Sequence, residues 1–281
     1  MNYYCLIAGL PDIGIEDNKL NFNLISFREE ARPQLSKDDA HVIDMFFTKF
    51  DNQNLLRYLK DKEVKFDDHG NIAKDDLEEY FQLVNEDVKP NNELIPSYFA
   101  TFVSEYREAQ QGTANSDAAK WENRLSELYY RWGMDCKNEF IARWFEFNLN
   151  LNNILAAFTS RKYQIDIEAI GDNEVSESIK TSNQRDFGLT GIVDDFEQFQ
   201  RLADEADMYE REKKIDLLKW QWLDNQTCLK YFSIEVVFTY LVKIEIIERW
   251  AGLDHEEGKK IFKNLIDSLK KDVSKNLKNE L

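Results

Sequence analysis

The sequence predicts an all-α protein. Three observations point there. Glycine and proline are scarce, 10 and 4 in 281 residues, far fewer than a chain of short strands and tight turns requires. Apolar residues recur at helical spacing along most of the chain. The stretch Ser233 to Trp250, SIEVVFTYLVKIEIIERW, is apolar nearly all round, as a helix in the middle of a bundle must be. Glu235, Lys243 and Glu245 interrupt it before the roughly 20 apolar residues a bilayer needs, so it is no membrane span.

The elements follow in order. Tyr3 to Leu10 is a short strand or the first buried turn of a helix, ended by Pro11. Asn21 to Glu30 reads as a short helix. Ser36 caps the next helix, with Asp39 in the capping-box position. Val42, Met45, Phe46 and Phe50 carry that helix on, and Asn52 to Lys60 adds a further turn or two. Val64 to Ile72 is a small hairpin or a loop. Asp75 to Val88 reads as a helix, broken at Pro90, and Ile95-Pro96 opens another to about Gln110.

Gln111 to Asp117, QGTANSD, reads as a linker. Ser116 or Asp117 then caps a helical region from Ala118 to Arg161, with a break at Gly133. Ile165 to Phe187 reads as a short helix plus loop, and Gly188 and Gly191 mark a turn. Ile192 to Ala206 and Met208 to Asp224 are amphipathic helices, the second with Ile215, Leu218 and Trp222 on one face. Gly252 stops the central helix. A last helix starts at Asp254 and packs through Phe262, Leu265, Leu269 and Val273.

Net charge is −17, which argues against nucleic acid and anionic lipid as partners. The acidity serves solubility or meets a basic partner. Outside the lysine-rich stretch after Asp254 no basic patch is evident. Cys5, Cys136 and Cys228 lack ligand or redox spacing and read as buried thiols of a reducing, cytosolic protein. The start of the chain does not have the pattern of a secretory signal.

No phosphate-cradling loop is present, so ATP binding is not expected. The three histidines stand apart from each other and from cysteine, so no metal is expected, and no cofactor. Asp67, His69 and Asn71 mimic part of a calcium loop, but the glycine is misplaced and a solvated turn fits better. The acidic clusters around Asp75 and Asp204 read as solvated helix faces.

One pattern is more specific. Arg143 to Lys162 carries Asn148, Asn150, Asn152 and Asn153 inside an otherwise strong helix, although Asn is a poor interior helix former. Asn148 and Asn152 share one face. Asn150 and Asn153 must sit at the edge of the apolar face or within it, and a buried Asn must find partners in a neighbour. A related pattern occurs three times, as Asn54-Leu-Leu, as Asn153-Ile-Leu followed by Arg161, and as Glu245-Ile-Ile followed by Arg249. Each is a polar residue, two aliphatics and a basic residue, with Lys243 beside the third. Near-equal spacing suggests three similar helical units, with approximate extents 1–110, 117–187 and 188–281 within one domain.

These blocks carry a resemblance. YYCLIAGLPDI, DNQNLLRYLK, FEFNLNLNNILAAFTSRK and EVVFTYLVKIEIIERW resemble a bacterial family of unassigned function whose members are encoded with V-type ATP synthase subunits. That family is a distant relative of the C-type subunit of V-type ATPases, the d-type subunit of eukaryotes. Glu245 stands where the third unit of these relatives often has Asn. The resemblance implies three pseudo-equivalent helical bundles forming a funnel, as in the C-type subunit. It implies no catalysis, but a socket coupling the central-stalk shaft to the membrane rotor ring during proton or sodium transport. The partners implied are those two, and the location is cytoplasmic, peripheral to the inner membrane through the complex. The competing readings are a stand-alone acidic helical enzyme and a scaffold of another complex.

Overall fold

The structure, a computed structural model, describes residues 3–17, 20–85, 94–111, 118–194 and 196–252. These residues form eleven α-helices and no β-strand. In order they are α1 (Tyr4–Ala8), α2 (Leu24–Ala31), α3 (Lys37–Lys60), α4 (Lys74–Asn85), α5 (Tyr98–Gln111), α6 (Ala118–Met134), α7 (Glu139–Tyr163), α8 (Glu174–Thr181), α9 (Phe196–Asp204), α10 (Met208–Thr227) and α11 (Ile234–Ala251). A 3-10 turn at Arg32–Gln34 joins α2 to α3.

The helix starts are set by short polar side chains. Ser36 accepts the Asp39 N–H at 3.2 Å and so caps α3. Asn138 takes the N–H groups of Phe140 and Ile141 at the head of α7, and Asp207 those of Tyr209 and Glu210 at the head of α10. Asn23 and Ser26 form a reciprocal capping box on α2. Each such cap is worth about 1 kcal/mol.

Several expectations are refined. Within Tyr3 to Leu10, Tyr4–Ala8 is a short helix rather than a strand, with Leu6 its buried residue. Asn52 to Lys60 is no separate turn; it completes the 24-residue α3. Val64 to Ile72 is a loop. The break predicted at Gly133 falls after it, between α6 and α7. Gly133 itself is helical, and the Phe145 ring occupies the space a Cβ would need there. Gly188 and Gly191 do form a turn, with φ of +72° and +104° that favour glycine. The cysteines differ from expectation: Cys5 and Cys228 are exposed and Cys136 is half-buried. Gly112 to Asp117, which hold most of the expected linker, and the expected last helix lie outside the described residues.

Three cores hold the helices. The central core takes α1, α2, the first half of α3, the end of α6, the start of α7, the second half of α10 and all of α11. α11 is its axis, with ten of its eighteen residues buried, among them Phe238 and Leu241 at 0% exposure. A second core packs the rest of α3 with α4, α5 and the first half of α6. A third packs the rest of α7 with α8, α9 and the first half of α10. Helices α3, α6, α7 and α10 therefore each run from an outer core into the central one. At 24 and 25 residues, α3 and α7 each span roughly 36 Å.

Candidate functional site: two asparagine clamps and a central cavity

The buried asparagines do one specific thing. Asn54, 1% exposed on α3, donates from Nδ2 to the Asp67 carbonyl at 3.1 Å and accepts the Asp67 N–H on Oδ1 at 2.7 Å. Asn153, 3% exposed on α7, donates to the Ile170 carbonyl at 2.7 Å and accepts the Ile170 N–H at 3.0 Å. In both cases one amide holds both backbone polar groups of one residue in the loop that follows a long helix. A buried backbone group must be paired, so each Asn fixes its loop by replacing a missing strand or helix partner.

Three residues earlier on each helix a second polar side chain reinforces the clamp. Asp51 accepts the N–H groups of Asn71 and Ile72 at 2.7 and 3.0 Å and the Asn71 amide at 2.9 Å. Burial pushes its carboxyl up to about 7, against the pull of those donors and of the Arg28 charge. Asn150 accepts from Asn173 Nδ2 at 2.7 Å, and Asn173 in turn caps α8. Gly70 lets the first loop come close: a Cβ there would stand 2.6 Å from Asp51 and 2.9 Å from Asn54. Gly171, next to the clamped Ile170, has φ +85°. Arg161 closes the second unit by donating to the carbonyls of Gln184, Arg185 and Ser182 and stacking over Phe187 at 3.4 Å. The Asp67–His69–Asn71 turn that mimics a calcium loop is thus the clamped loop of the first unit, with His69 Nδ1 at 2.6 Å from Asp67.

The third copy behaves differently. Among the described residues Glu245 makes no clamp; it pairs with Lys49 of α3. The residues after Gly252, where a clamped loop would follow α11, lie outside the described residues. Lys243 reaches Asp224 at 2.6 Å and lies over Trp220 at 4.5 Å. Arg249 pairs with Asp216 and, at 3.6 Å, with Glu212.

Where the three cores meet, α3, α6, α7, α10 and α11 line a partly open cavity of about 250 Å³. Its apolar wall includes Phe46, Phe145, Trp144 and Phe238. Its polar wall includes Lys49, Glu245, Asp216, Lys219, Arg249, Asn148 and Asn152. Phe46 and Lys49 stand eight and five residues before the clamp Asn54. Phe145 and Asn148 stand eight and five before Asn153. The two units thus present equivalent helix positions to the cavity as well as to their loops.

Electrostatics in the cavity are ordered. Asp216, 2% exposed, accepts from Arg249 and from Trp250 Nε1 at 2.8 Å. Burial pushes its pKa up, and the Arg249 charge pulls it back. Lys49 is held by Glu245 and by the Phe46 face at 3.9 Å. Lys219 has no hydrogen-bond acceptor among the described residues. Burial lowers its pKa, and Asp216 opposes that shift. The sequence suggests no basic patch in this region, yet three cations converge here, Lys49 from α3 and Lys219 and Arg249 from α10 and α11. One signal was available. Ile215, Lys219 and Trp222 share the i, i+4, i+7 stripe of α10, so a lysine interrupts an apolar face.

Among the described residues, no group of three or more His, Cys, Asp or Glu could hold a metal ion, and no helix is long and apolar enough to cross a membrane.

The fold and site define an all-helical protein built on paired clamp units around a charged, aromatic-walled cavity. A family model described as a protein of unknown function, DUF2764, matches residues 1–273, and the chain belongs to that family. No curated protein and no solved structure matches it.

Proposed function

We propose that this chain is a non-catalytic component of a V-type ATP synthase that couples the central shaft to the membrane rotor ring. The observation that carries this reading is the repeated unit of long helix, clamped loop and following helix, set around one core. The resemblance to the C-type subunit implies three such units, and the two clamped ones support that reading. A coupling element must resist twisting. The clamps tie each loop to its helix at both backbone groups, and α3 and α7 run uninterrupted between cores, so the units cannot hinge easily at those joints.

In this reading the shaft is not placed in the central cavity of about 250 Å³, which is small for a helix of about 10–12 Å diameter with its side chains. The shaft end would sit against an outer face of the array, where the net charge of −17 favours a basic partner. In this reading the chain lies on the cytoplasmic side, held at the inner membrane through the complex. Co-purification from cells with central-stalk subunits and the rotor ring tests it. Isolation with an unrelated complex instead would favour a scaffold.

A further inference from the structure

We propose that the central cavity is a binding site for a small monocarboxylate with a flat apolar body, recognised by the Lys219 ammonium and held against the aromatic wall. This inference is independent of the coupling role.

The charge pattern selects an anion. Of the cavity's cations, Lys49 is matched by Glu245 and Arg249 by Asp216. Lys219 is the cation left without a hydrogen-bond acceptor among the described residues, although Asp216 stands one turn before it on α10. Lys219 is half-buried at the cavity wall, and an ammonium there without a protein acceptor is free to take a carboxylate, a charge-assisted hydrogen bond being about twice as strong as a neutral one. Two phenols add donors. The Tyr130 hydroxyl accepts from Asn152 Nδ2 at 2.7 Å, which leaves its own proton to give. The Tyr129 hydroxyl has no partner among the described residues. Both tyrosines line the cavity, and burial raises both pKa values, Tyr130 to about 12, so they stay protonated donors at neutral pH.

The same walls restrict the ligand. A cavity of about 150 Å³ takes benzene, so one of about 250 Å³ takes a ring with a carboxylate but no nucleotide. Asp216 and Glu245 disfavour a dianion such as hydrogen phosphate, because each adds a like charge to the same small space. Trp144, Phe145 and Phe46 make that part of the lining apolar and aromatic, which suits a ring better than a polar chain.

The test is calorimetric titration of the full-length protein with benzoate, benzamide and inorganic phosphate, with tryptophan fluorescence as a second readout. Benzoate should bind saturably at one site, at least tenfold tighter than neutral benzamide and tighter than phosphate. Lys219→Met should weaken benzoate at least tenfold and leave benzamide unchanged. Without ligand that variant should melt no lower than wild type, because the ammonium it removes makes no hydrogen bond among the described residues. Equal binding of benzoate and benzamide, preference for phosphate, or no saturable benzoate binding would overturn the proposal. If Lys219→Met does not fold, the comparison of benzoate with benzamide on the wild-type protein decides alone.

Discussion

Asn54 and Asn153 hold their loops by the same pair of hydrogen bonds, each taking both the N–H and the C=O of one loop residue. They stand 99 positions apart on two long helices, and the residues three before them, Asp51 and Asn150, also reach into the following segment. The two units are therefore alike in polar detail as well as in outline.

Asn153→Leu should destabilise the protein by about 1–3 kcal/mol, because the Ile170 N–H loses its partner and its C=O keeps only the Ser176 hydroxyl. Asn54→Leu should cost a similar amount through Asp67. Urea unfolding gives both values. A near-neutral result for either would mean that water or a shifted loop satisfies those groups, and that the clamp does not hold the loop.

Asp51 makes stability depend on pH. Its folded pKa of about 7 lies above the usual value near 3.9 of an unfolded aspartate. Between those two values the folded state keeps a proton that the unfolded state has lost. Stability from this group is full below about pH 4 and falls as pH rises to about 7, by at most about 1.4 kcal/mol per unit. Asp51→Asn should remove that component, so the difference in stability between variant and wild type should change with pH over this range. A constant difference from pH 4 to 7 would contradict the burial-driven shift.

Gly133→Ala should cost about 1–3 kcal/mol by overpacking, although alanine is the better helix former, because the new methyl meets the Phe145 ring. Thermal melting of the variant measures it. A stabilised variant would show that α6 and α7 can separate slightly without loss.

The helices were legible because burial leaves a 3.6-residue pattern, and α11 and the Ser36 cap are plain in the letters. The asparagines of α7 were legible as anomalies, since Asn inside a strong helix asks for a partner. Their partner was not, because Ile170 is contacted through its backbone, which any residue carries. The boundaries of the cores were hidden for a related reason. A helix such as α3 keeps one unbroken period while its first half feeds one core and its second half another. The cavity was the least legible feature. Lys49, Lys219 and Arg249 are ordinary exposed-type residues in sequence, and only the crossing of three helices brings them together. Lys219 alone left a trace, as a charge in the apolar stripe between Ile215 and Trp222.

The central claim is that this chain docks on the central stalk of a V-type ATP synthase. Its most direct test is the association of the purified chain with purified central-stalk subunits, followed by stopped flow over a salt series. The series runs from low ionic strength to about 0.5 M, where the Debye length is only a few ångströms. With a net charge of −17 on the chain, the association rate should fall as salt rises, while dissociation, set by contacts made after docking, should change less. A rate flat in salt would reject electrostatic steering and leave the acidity to solubility. No binding at any salt, with both partners folded, would contradict the coupling role itself.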